Sequence, residues 1–213
     1  ERELFANSFV QDIGNFECIH AIKNIYKNKK ILDVCAAPGG KSILLHSYDF
    51  QVEALDKSPS QIKKFQENIS RLNLDIKISQ NDFFTIDENK KYESILLDAP
   101  CSALGTFRRN PDVASKIDEK KLLDNQQIQL KMIEKALKLL KKDGILTYIV
   151  CSFHPFETMG VIEKILQKYE NISLLTIQSD KMIKKESGYF INPFSFKEFG
   201  GSDIFFVSAF KKN

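Results

Sequence analysis

The sequence predicts an α/β fold in which a mostly parallel sheet carries helices on both faces. Short apolar runs alternate along the chain with longer segments whose apolar residues recur at helical spacing, an order typical of successive βαβ units. The first apolar run, 31–35, has the continuous hydrophobic character of a central parallel strand. It is followed by a turn of small residues and a helix start. These two observations define the predicted fold class.

The bulk composition suits one soluble domain. The chain has 213 residues, 43% of them hydrophobic, and a formal net charge of only +3. We therefore expect a single domain over 1–213, with 1–28 as a helical lead-in. This small charge is compatible with nucleic acid but does not require it. No apolar stretch approaches the roughly 18 residues of a membrane span, and we see no signal peptide. We thus predict no membrane partner and a cytoplasmic location.

The spacing of the four cysteines favours free, reactive thiols over a structural disulfide or metal site. Cys18, Cys35, Cys101 and Cys151 have the spacing of neither a zinc site nor a compact disulfide scaffold. We predict no metal, and a reducing compartment in which the thiols stay free. The chain begins at Glu1 without a methionine, as expected for a fragment or a trimmed chain.

The first elements surround a glycine turn. Apolar spacing predicts a helix over 8–26, interrupted at Gly14. The strand over 31–35 leads into Ala36-Ala37-Pro38-Gly39-Gly40-Lys41-Ser42, and a helix follows from Ile43. Small residues let a ligand approach the backbone, and the helix start offers free N–H groups. The turn is therefore a candidate binding site.

An acid lies at or just after the end of the second and third predicted strands. The run 51–56 ends at Asp56, about 20 residues after the glycine turn, where nucleoside-binding folds hold ribose hydroxyls. A helix start is expected at Ser58, with proline next to it. The weaker strand 76–79 precedes Asp82.

The remaining runs bring the predicted number of strands to seven. The fourth strand, 94–97, precedes Asp98, and the fifth, 145–150, precedes Cys151. Between them lies the clearest helix, 119–142, with Leu123, Leu130, Ile133, Leu137 and Leu140 on its apolar face. A helix around 161–169 and strands at 172–177 and 204–210 complete the chain.

Two cysteines follow strands and can share one cleft. Cys101 lies just beyond Asp98, and Cys151 ends the fifth strand. Because reactive groups in open α/β sheets gather outside the carboxyl ends of the strands, residues far apart in sequence can meet there. We interpret the set as a nucleophile, an acid and a second thiol around one flat substrate.

Five segments together resemble the catalytic domain of the RNA cytosine-5 methyltransferases of the NOL1/NOP2/Sun family. In chain order they are Phe9-Val10-Gln11-Asp12, Val34-Cys35-Ala36-Ala37-Pro38-Gly39-Gly40-Lys41, Asp98-Ala99-Pro100-Cys101-Ser102, Arg108-Arg109-Asn110-Pro111-Asp112 and Cys151-Ser152-Phe153-His154-Pro155. The resemblance implies a class I, Rossmann-like S-adenosylmethionine-dependent methyltransferase fold with an antiparallel final strand. It implies S-adenosylmethionine as cofactor and cytosine C5 in RNA as target, with ribosomal RNA favoured over transfer RNA.

The resemblance also implies the catalytic roles. It assigns Cys151 as the thiolate that adds to cytosine C6, Cys101 to release of the methylated product, and Asp98 to the cytosine edge. Addition at C6 is needed because C5 alone is a poor nucleophile; the thiolate pushes electron density towards it.

The resemblance and the positions at strand ends together imply which residues bind the cofactor. Lys41 could hold either the target base or the methionine carboxylate. The predicted cofactor-binding residues are Cys35, Ala36, Ala37, Pro38, Gly39, Gly40, Lys41, Asp56, Asp82 and Asp98.

Several alternatives stay open. The glycine turn and Asp56 would also suit a methyltransferase acting on DNA cytosine or a small molecule, or a non-catalytic cofactor-binding scaffold in ribosome assembly. Thr158 and Gln61 depart from the family pattern, which usually has asparagine and arginine there. We also expect RNA selection to need a separate RNA-binding module or a partner protein.

Overall fold

The computed structural model describes residues 8–213, in which one mixed sheet is flanked by helices. The strands are β1 (Lys30–Val34), β2 (Gln51–Asp56), β3 (Lys77–Gln80), β4 (Tyr92–Asp98), β5 (Leu140–Val150), β6 (Ile172–Leu174), β7 (Met182–Lys185), β8 (Gly188–Ile191) and β9 (Phe206–Lys212). The helices are α1 (Ile13–Ile22), α2 (Gly40–Ser47), α3 (Pro59–Arg71), α4 (Glu119–Leu139) and α5 (Met159–Lys168). Short 3-10 turns span Phe83–Thr85, Leu104–Thr106, Pro111–Lys116, Pro155–Glu157 and Pro193–Phe199.

The sheet confirms the predicted mostly parallel order. Across the sheet, neighbouring strands lie in the spatial order β3-β2-β1-β4-β5-β9-β8-β7, and β6 pairs with β9. The five strands from β3 to β5 are mutually parallel, whereas β9 runs antiparallel to β5. The antiparallel final strand is therefore confirmed. The carboxyl ends of β1, β2, β4 and β5 meet at one edge, where the site lies.

The predicted strand number was wrong: residues 8–213 contain nine strands, not seven. The two additional strands are the hairpin of β7 and β8, which extends the sheet beyond β9. Its first strand, Met-Ile-Lys-Lys, is mostly exposed and lacks a long apolar run. Such an edge strand is stabilised by pairing with its neighbour, which the sequence pattern alone does not reveal.

Helices cover both faces of the sheet, as predicted. On β4, Leu96 packs with the α1 and α2 residues, whereas Ile95 and Leu97 pack with those of α4 and α5. Successive strand side chains point to opposite faces, so one buried strand supplies both cores. This double burial explains the continuous apolar runs.

The first helix is shorter than the predicted 8–26. It begins after Asp12, whose carboxylate accepts a hydrogen bond from Gly14 N at 2.8 Å, and it ends at Ile22. Residues 8–12 lie outside this helix. The part of the expected helical lead-in that falls in 1–7 lies outside the described residues.

The long helix also ends earlier than predicted. It stops at Leu139, because Leu140 is extended and pairs with Tyr92 at the start of β5. Its inward face includes the buried amides of Gln126 and Gln129, whereas the predicted stripe residue Leu123 is 41% exposed. The side-chain NH2 groups of these residues donate to the neighbouring loops, Gln126 to Phe156 O and Gln129 to Pro100 O.

No helix within residues 8–213 combines the length and the apolar character needed to cross a membrane.

Candidate active site

The glycine turn joins β1 to α2 in a backbone conformation that favours small residues. Cys35 has φ +60° and Gly39 has φ +115°, and Gly39 caps the start of α2. A Cβ on Gly39 would also lie 3.1 Å from the Phe65 ring. The turn can therefore pass closely under α3 only with glycine at this position.

One cavity, which we call the Asp56 cavity, opens between this turn and the ends of β2 and β4. Its volume is about 410 Å³. Three predicted acids line it, and both predicted catalytic thiols reach it. Its lining comprises Val34, Cys35, Ala37, Pro38, Leu55, Asp56, Lys57, Ser58, Gln61, Asn81, Asp82, Phe83, Phe84, Asp98, Ala99, Pro100, Cys101, Ile128, Met132 and Cys151.

The carboxylate of Asp56 is fixed by backbone amides. It accepts hydrogen bonds from Ala37 N at 3.2 Å and from Ser58 N at 2.8 Å. These bonds tie the end of β2 to the glycine turn and hold the carboxylate at the cavity. Asp82 accepts a bond from Phe84 N at 2.9 Å and is exposed. Phe83 is 5% exposed and packs into the core beneath it.

The two strand-end cysteines are in contact. Cys101 Sγ lies 3.3 Å from Cys151 Sγ, although the residues are 50 positions apart in sequence. This contact arises because β4 and β5 are parallel neighbours, with Asp98 opposite Ile149. The prediction that both thiols share one cleft is confirmed by this distance.

The contact makes the two thiols chemically different. A hydrogen bond from Cys101 lowers the pKa of Cys151 and outweighs the opposing effect of burial; Lys41 lowers this pKa further. The same bond and burial raise the pKa of Cys101 well above its ordinary value. The Cys101 thiol is thus the hydrogen-bond donor and Cys151 the sulfur that ionises first.

A buried ion pair lies beside the thiols. Lys41 Nζ donates to Asp98 Oδ2 at 2.8 Å, and Lys41 is only 6% exposed. Burial acts to lower the pKa of Lys41, but the Asp98 carboxylate more than compensates, so the pKa is raised. Lys41 therefore remains a cation next to Cys151.

Both members of this ion pair line a second cavity, which we call the Lys41 cavity. Its volume is about 860 Å³. Asp98 and Cys151 line both cavities and so mark their junction. The lining comprises Phe9, Val10, Gln11, Asp12, Ile13, Asn15, Ala36, Ala37, Pro38, Gly40, Lys41, Asp98, Thr106, Arg108, Arg109, Cys151, Phe199, Gly201 and Phe205.

The predicted cofactor residues are spread over the two cavities, and Ala37, Pro38 and Asp98 line both. The Asp56 cavity includes Cys35, Ala37, Pro38, Asp56, Asp82 and Asp98. Ala36, Gly40 and Lys41 line only the Lys41 cavity, and Gly39 lines neither. Lys41 therefore lies outside the cavity that contains Asp56.

Arg108 and Arg109, from the fourth segment of the family resemblance, take part in internal ion pairs. Arg108 lies 3.0 Å from Asp12, and Arg109 Nε donates to the buried Asp203 at 2.7 Å. These bonds fasten the loop after Cys101 to the segment before α1 and to the approach to β9. Their geometry supports a structural role for both arginines.

Gly105 fastens the same loop to the second cysteine. Its N–H donates to Cys151 O at 3.0 Å, and its carbonyl accepts from Ile204 N at 2.9 Å. A Cβ here would lie 1.9 Å from Ile204 O. Only glycine fits this close approach of three segments.

The sequence analysis missed one buried carboxylate beside the thiols. Glu157 is fully buried and accepts hydrogen bonds from Ser102 and Ser152. The only available signal was an acid placed six residues after Cys151, which resembles an ordinary helix start. Within residues 8–213, no three or more His, Cys, Asp or Glu side chains are grouped so that they could hold a metal ion.

The chain matches a family model over most of its length. The model described as 16S rRNA methyltransferase RsmB/F covers residues 21–211. Ribosomal RNA small subunit methyltransferase B of Photorhabdus laumondii is 35% identical over 208 residues, which are 95% of this chain and 46% of that protein. The protein of the same name from Yersinia enterocolitica is 34% identical over 78% of this chain and 40% of its own length. The chain thus spans less than half of these curated relatives.

Solved structures agree with this assignment of the fold. NSun6 from Pyrococcus horikoshii with SFG has a TM-score of 0.83 at 24% identity and covers 99% of this chain and 55% of that one. A methyltransferase homologue from Pyrococcus horikoshii has a TM-score of 0.76 at 25% identity, over 96% of this chain and 68% of that one. The fold is that of the class I methyltransferases, as predicted. By sequence and by fold, the chain belongs to the RsmB/F family of 16S rRNA methyltransferases, within the NOL1/NOP2/Sun group.

Proposed function

We propose that residues 1–213 form one catalytic domain that transfers a methyl group from S-adenosylmethionine to C5 of cytosine in RNA. Small-subunit ribosomal RNA is the favoured target, since the chain resembles methyltransferases named for that RNA. The observation that carries the proposal is the contact of two thiols, 3.3 Å apart, one of which, Cys151, lines both cavities. One cavity is available for each reactant.

The residues of the Asp56 cavity fit S-adenosylmethionine. Its volume lies within the roughly 300–1,000 Å³ of typical ligand sites. The Asp56 carboxylate is held by two backbone amides and can accept bonds from ribose hydroxyls. Small residues of the turn leave room on one side, while Asp82 offers an acceptor to an adenine amino group. When bound there, S-adenosylmethionine supplies an electrophilic methyl group.

Cys151 is the nucleophile in this proposal. Its thiolate forms a bond to cytosine C6, and the electron pair of the C5–C6 double bond moves towards C5. C5 would use this pair to bond the methyl group that S-adenosylmethionine supplies, and the pair of the broken S–CH3 bond would stay on the donor sulfur as a neutral thioether. The lowered pKa of Cys151 supports this role, because the thiolate is the reactive form. Asp98 reaches both cavities and would contact the base edge, with Lys41 holding its carboxylate in place.

Cys101 acts in product release. Once Cys151 is bonded to C6, its sulfur carries no negative charge, so one cause of the raised Cys101 pKa disappears. Cys101 can then lose its proton to solvent and accept the C5 proton. The C5–C6 double bond re-forms, the Cys151–C6 bond breaks, and its electron pair returns to sulfur. Electrons and atoms balance without a further reactant.

The RNA must present an accessible base. A cytosine stacked in a helix shields both faces of its ring, so the target must leave the stack before Cys151 can attack. We expect a separate RNA-binding module or a partner protein to select the site, and we place the reaction in the cytoplasm with its ribosomal substrate.

The test is bisulfite sequencing of total RNA from cells that carry the intact gene or its Cys151→Ala form. We expect a protected cytosine in small-subunit ribosomal RNA to become fully convertible in the variant. Loss of protection in transfer RNA alone would redirect the substrate assignment. An unchanged pattern in every RNA would contradict the proposed function.

A further inference from the structure

The buried carboxylate of Glu157 forms hydrogen bonds with the two serines that directly follow Cys101 and Cys151. Glu157 lies in the short 3-10 turn Pro155–Glu157, between β5 and α5, and its exposure is 0%. Its Oε2 accepts hydrogen bonds from Ser102 Oγ at 2.5 Å and from Ser152 Oγ at 2.6 Å. The two serines follow Cys101 and Cys151, so both cysteine loops share one acceptor.

The other oxygen of Glu157 completes the set of bonds. Oε1 accepts from Ser102 N at 2.7 Å and from Asn125 Nδ2, on α4, at 2.8 Å. The backbone carbonyl of Glu157 accepts a hydrogen bond from the phenolic hydroxyl of Tyr148 at 2.7 Å. Four donors thus surround the carboxylate, which is the condition under which a buried charge is tolerated.

This arrangement constrains the distance between the thiols. The hydroxyls of Ser102 and Ser152 lie 3.3 Å apart on the carboxylate, the same separation as the two sulfurs one residue earlier. Neighbouring bonds fix the loops individually: Gln129 donates to Pro100 O, and Gln126 donates to Phe156 O. Glu157, in contrast, links one cysteine loop to the other through side chains.

We propose that Glu157 is a positioning residue that holds Cys101 in hydrogen-bond contact with Cys151 and thereby keeps Cys151 ready to react as a thiolate. The residue does not touch the reacting atoms and acts through Ser102 and Ser152. The proposal extends the proposed function, since its catalytic consequence depends on Cys151 being the nucleophile. Its structural content, the coupling of two thiols, requires no RNA and can be measured alone.

The experiment measures the rate of iodoacetamide modification at Cys151 across pH, with each cysteine resolved by mass spectrometry. In Glu157→Ala, we expect the profile of Cys151 to shift to higher pH and the rate at pH 7 to fall by about threefold or more. Glu157→Gln should restore much of the rate, because an amide oxygen can accept from Ser102 N and Asn125 while its NH2 group donates to the two hydroxyls.

A double-mutant cycle distinguishes a specific effect on the contact between the two thiols from a general loss of structure around them. If Glu157 acts through the contact between the thiols, Glu157→Ala should change Cys151 reactivity little when Cys101 is already alanine. Glu17→Ala is the matched control: Glu17 lies on α1, and the substitution removes a buried carboxylate that accepts a hydrogen bond from Ser179 Oγ. It should leave the Cys151 profile unchanged.

Two results would overturn the proposal: an unaltered Cys151 profile in Glu157→Ala, or an equal change with and without Cys101. Should Glu157→Ala fail to fold, Ser152→Ala cuts the bond to the second loop and keeps the carboxylate, and the same cycle applies with a smaller expected shift. Failure of the proposed function would appear separately, as absence of RNA methylation while the thiol coupling persists.

Discussion

Lys41 Nζ lies 2.8 Å from Asp98 Oδ2, and Asp98 lines both of the cavities that meet at Cys151. Lys41 comes from the first turn of α2 and Asp98 from the end of β4. The lysine thus stabilises the charge of the acid that we propose contacts the base, and it supplies positive charge beside Cys151. Lys41 lines the Lys41 cavity and not the Asp56 cavity.

Replacing this lysine should therefore affect both thiol chemistry and stability. In Lys41→Met, we expect slower alkylation of Cys151 at pH 7, because a charge that lowers the pKa of Cys151 is lost. Breaking a fully buried pair costs about 3–5 kcal/mol. Since Asp98 is 31% exposed, we expect the free energy of unfolding to fall by about 2 kcal/mol.

Urea unfolding and pH-dependent alkylation check these effects. Lys135→Met is the control, because Lys135 is also nearly buried and pairs with Glu88, far from the thiols. Faster or unchanged alkylation in Lys41→Met would argue against an electrostatic role for Lys41.

The acid at the end of β2 can be tested by calorimetry. Asp56→Ala should weaken S-adenosylmethionine binding by about 1–3 kcal/mol, since a fixed charged acceptor is removed. Asp87→Ala serves as the control: Asp87 accepts a local backbone bond from Asn89 N but lines neither cavity. Equal affinities for Asp56→Ala and the unaltered protein would remove Asp56 from the binding site.

The two cysteines should have opposite phenotypes. Cys151→Ala cannot form the bond to C6 and should lose turnover almost completely. Cys101→Ala should still attack and methylate, but should accumulate a covalent enzyme–RNA complex that survives denaturing electrophoresis. Both variants should bind the cofactor. A complex from Cys151→Ala and none from Cys101→Ala would reverse the assignment.

A buried acid beneath the glycine turn should make stability depend on pH. Asp33 is fully buried in β1 and accepts from Ser42 Oγ at 2.5 Å; burial raises its pKa from 3.8 to about 7. Between these values the folded state holds a proton that the unfolded state has released, so this group's contribution to stability falls as pH rises from about 4 to about 7.

The Asp33→Asn variant should lack this dependence. Relative to the unaltered protein, its free energy of unfolding should increase by up to about 4 kcal/mol between pH 4 and pH 8, because each pKa unit corresponds to about 1.4 kcal/mol. Urea unfolding at several pH values measures the difference, with the exposed Asp87→Asn as control. A difference that is flat across this range would show that Asp33 does not titrate there.

The sequence by itself determined the central strands, the glycine turn and the placement of Cys101 and Cys151 after β4 and β5. These features are local: doubly buried strands require continuous apolar runs, and small residues are needed where the chain turns tightly. Helix ends were less well determined, as at Leu139, because pairing of Leu140 with Tyr92 competes with helical continuation.

Only the tertiary structure decided which polar groups meet. The 3.3 Å contact of the thiols follows from the register of β4 against β5, and the pairing of Lys41 with Asp98 joins residues 57 positions apart. Glu157 has the appearance of a helix-start acid in sequence, yet packing buries it completely between two serines. Burial removes water as a competing partner, so a side chain's role there depends on neighbours that the local sequence does not specify.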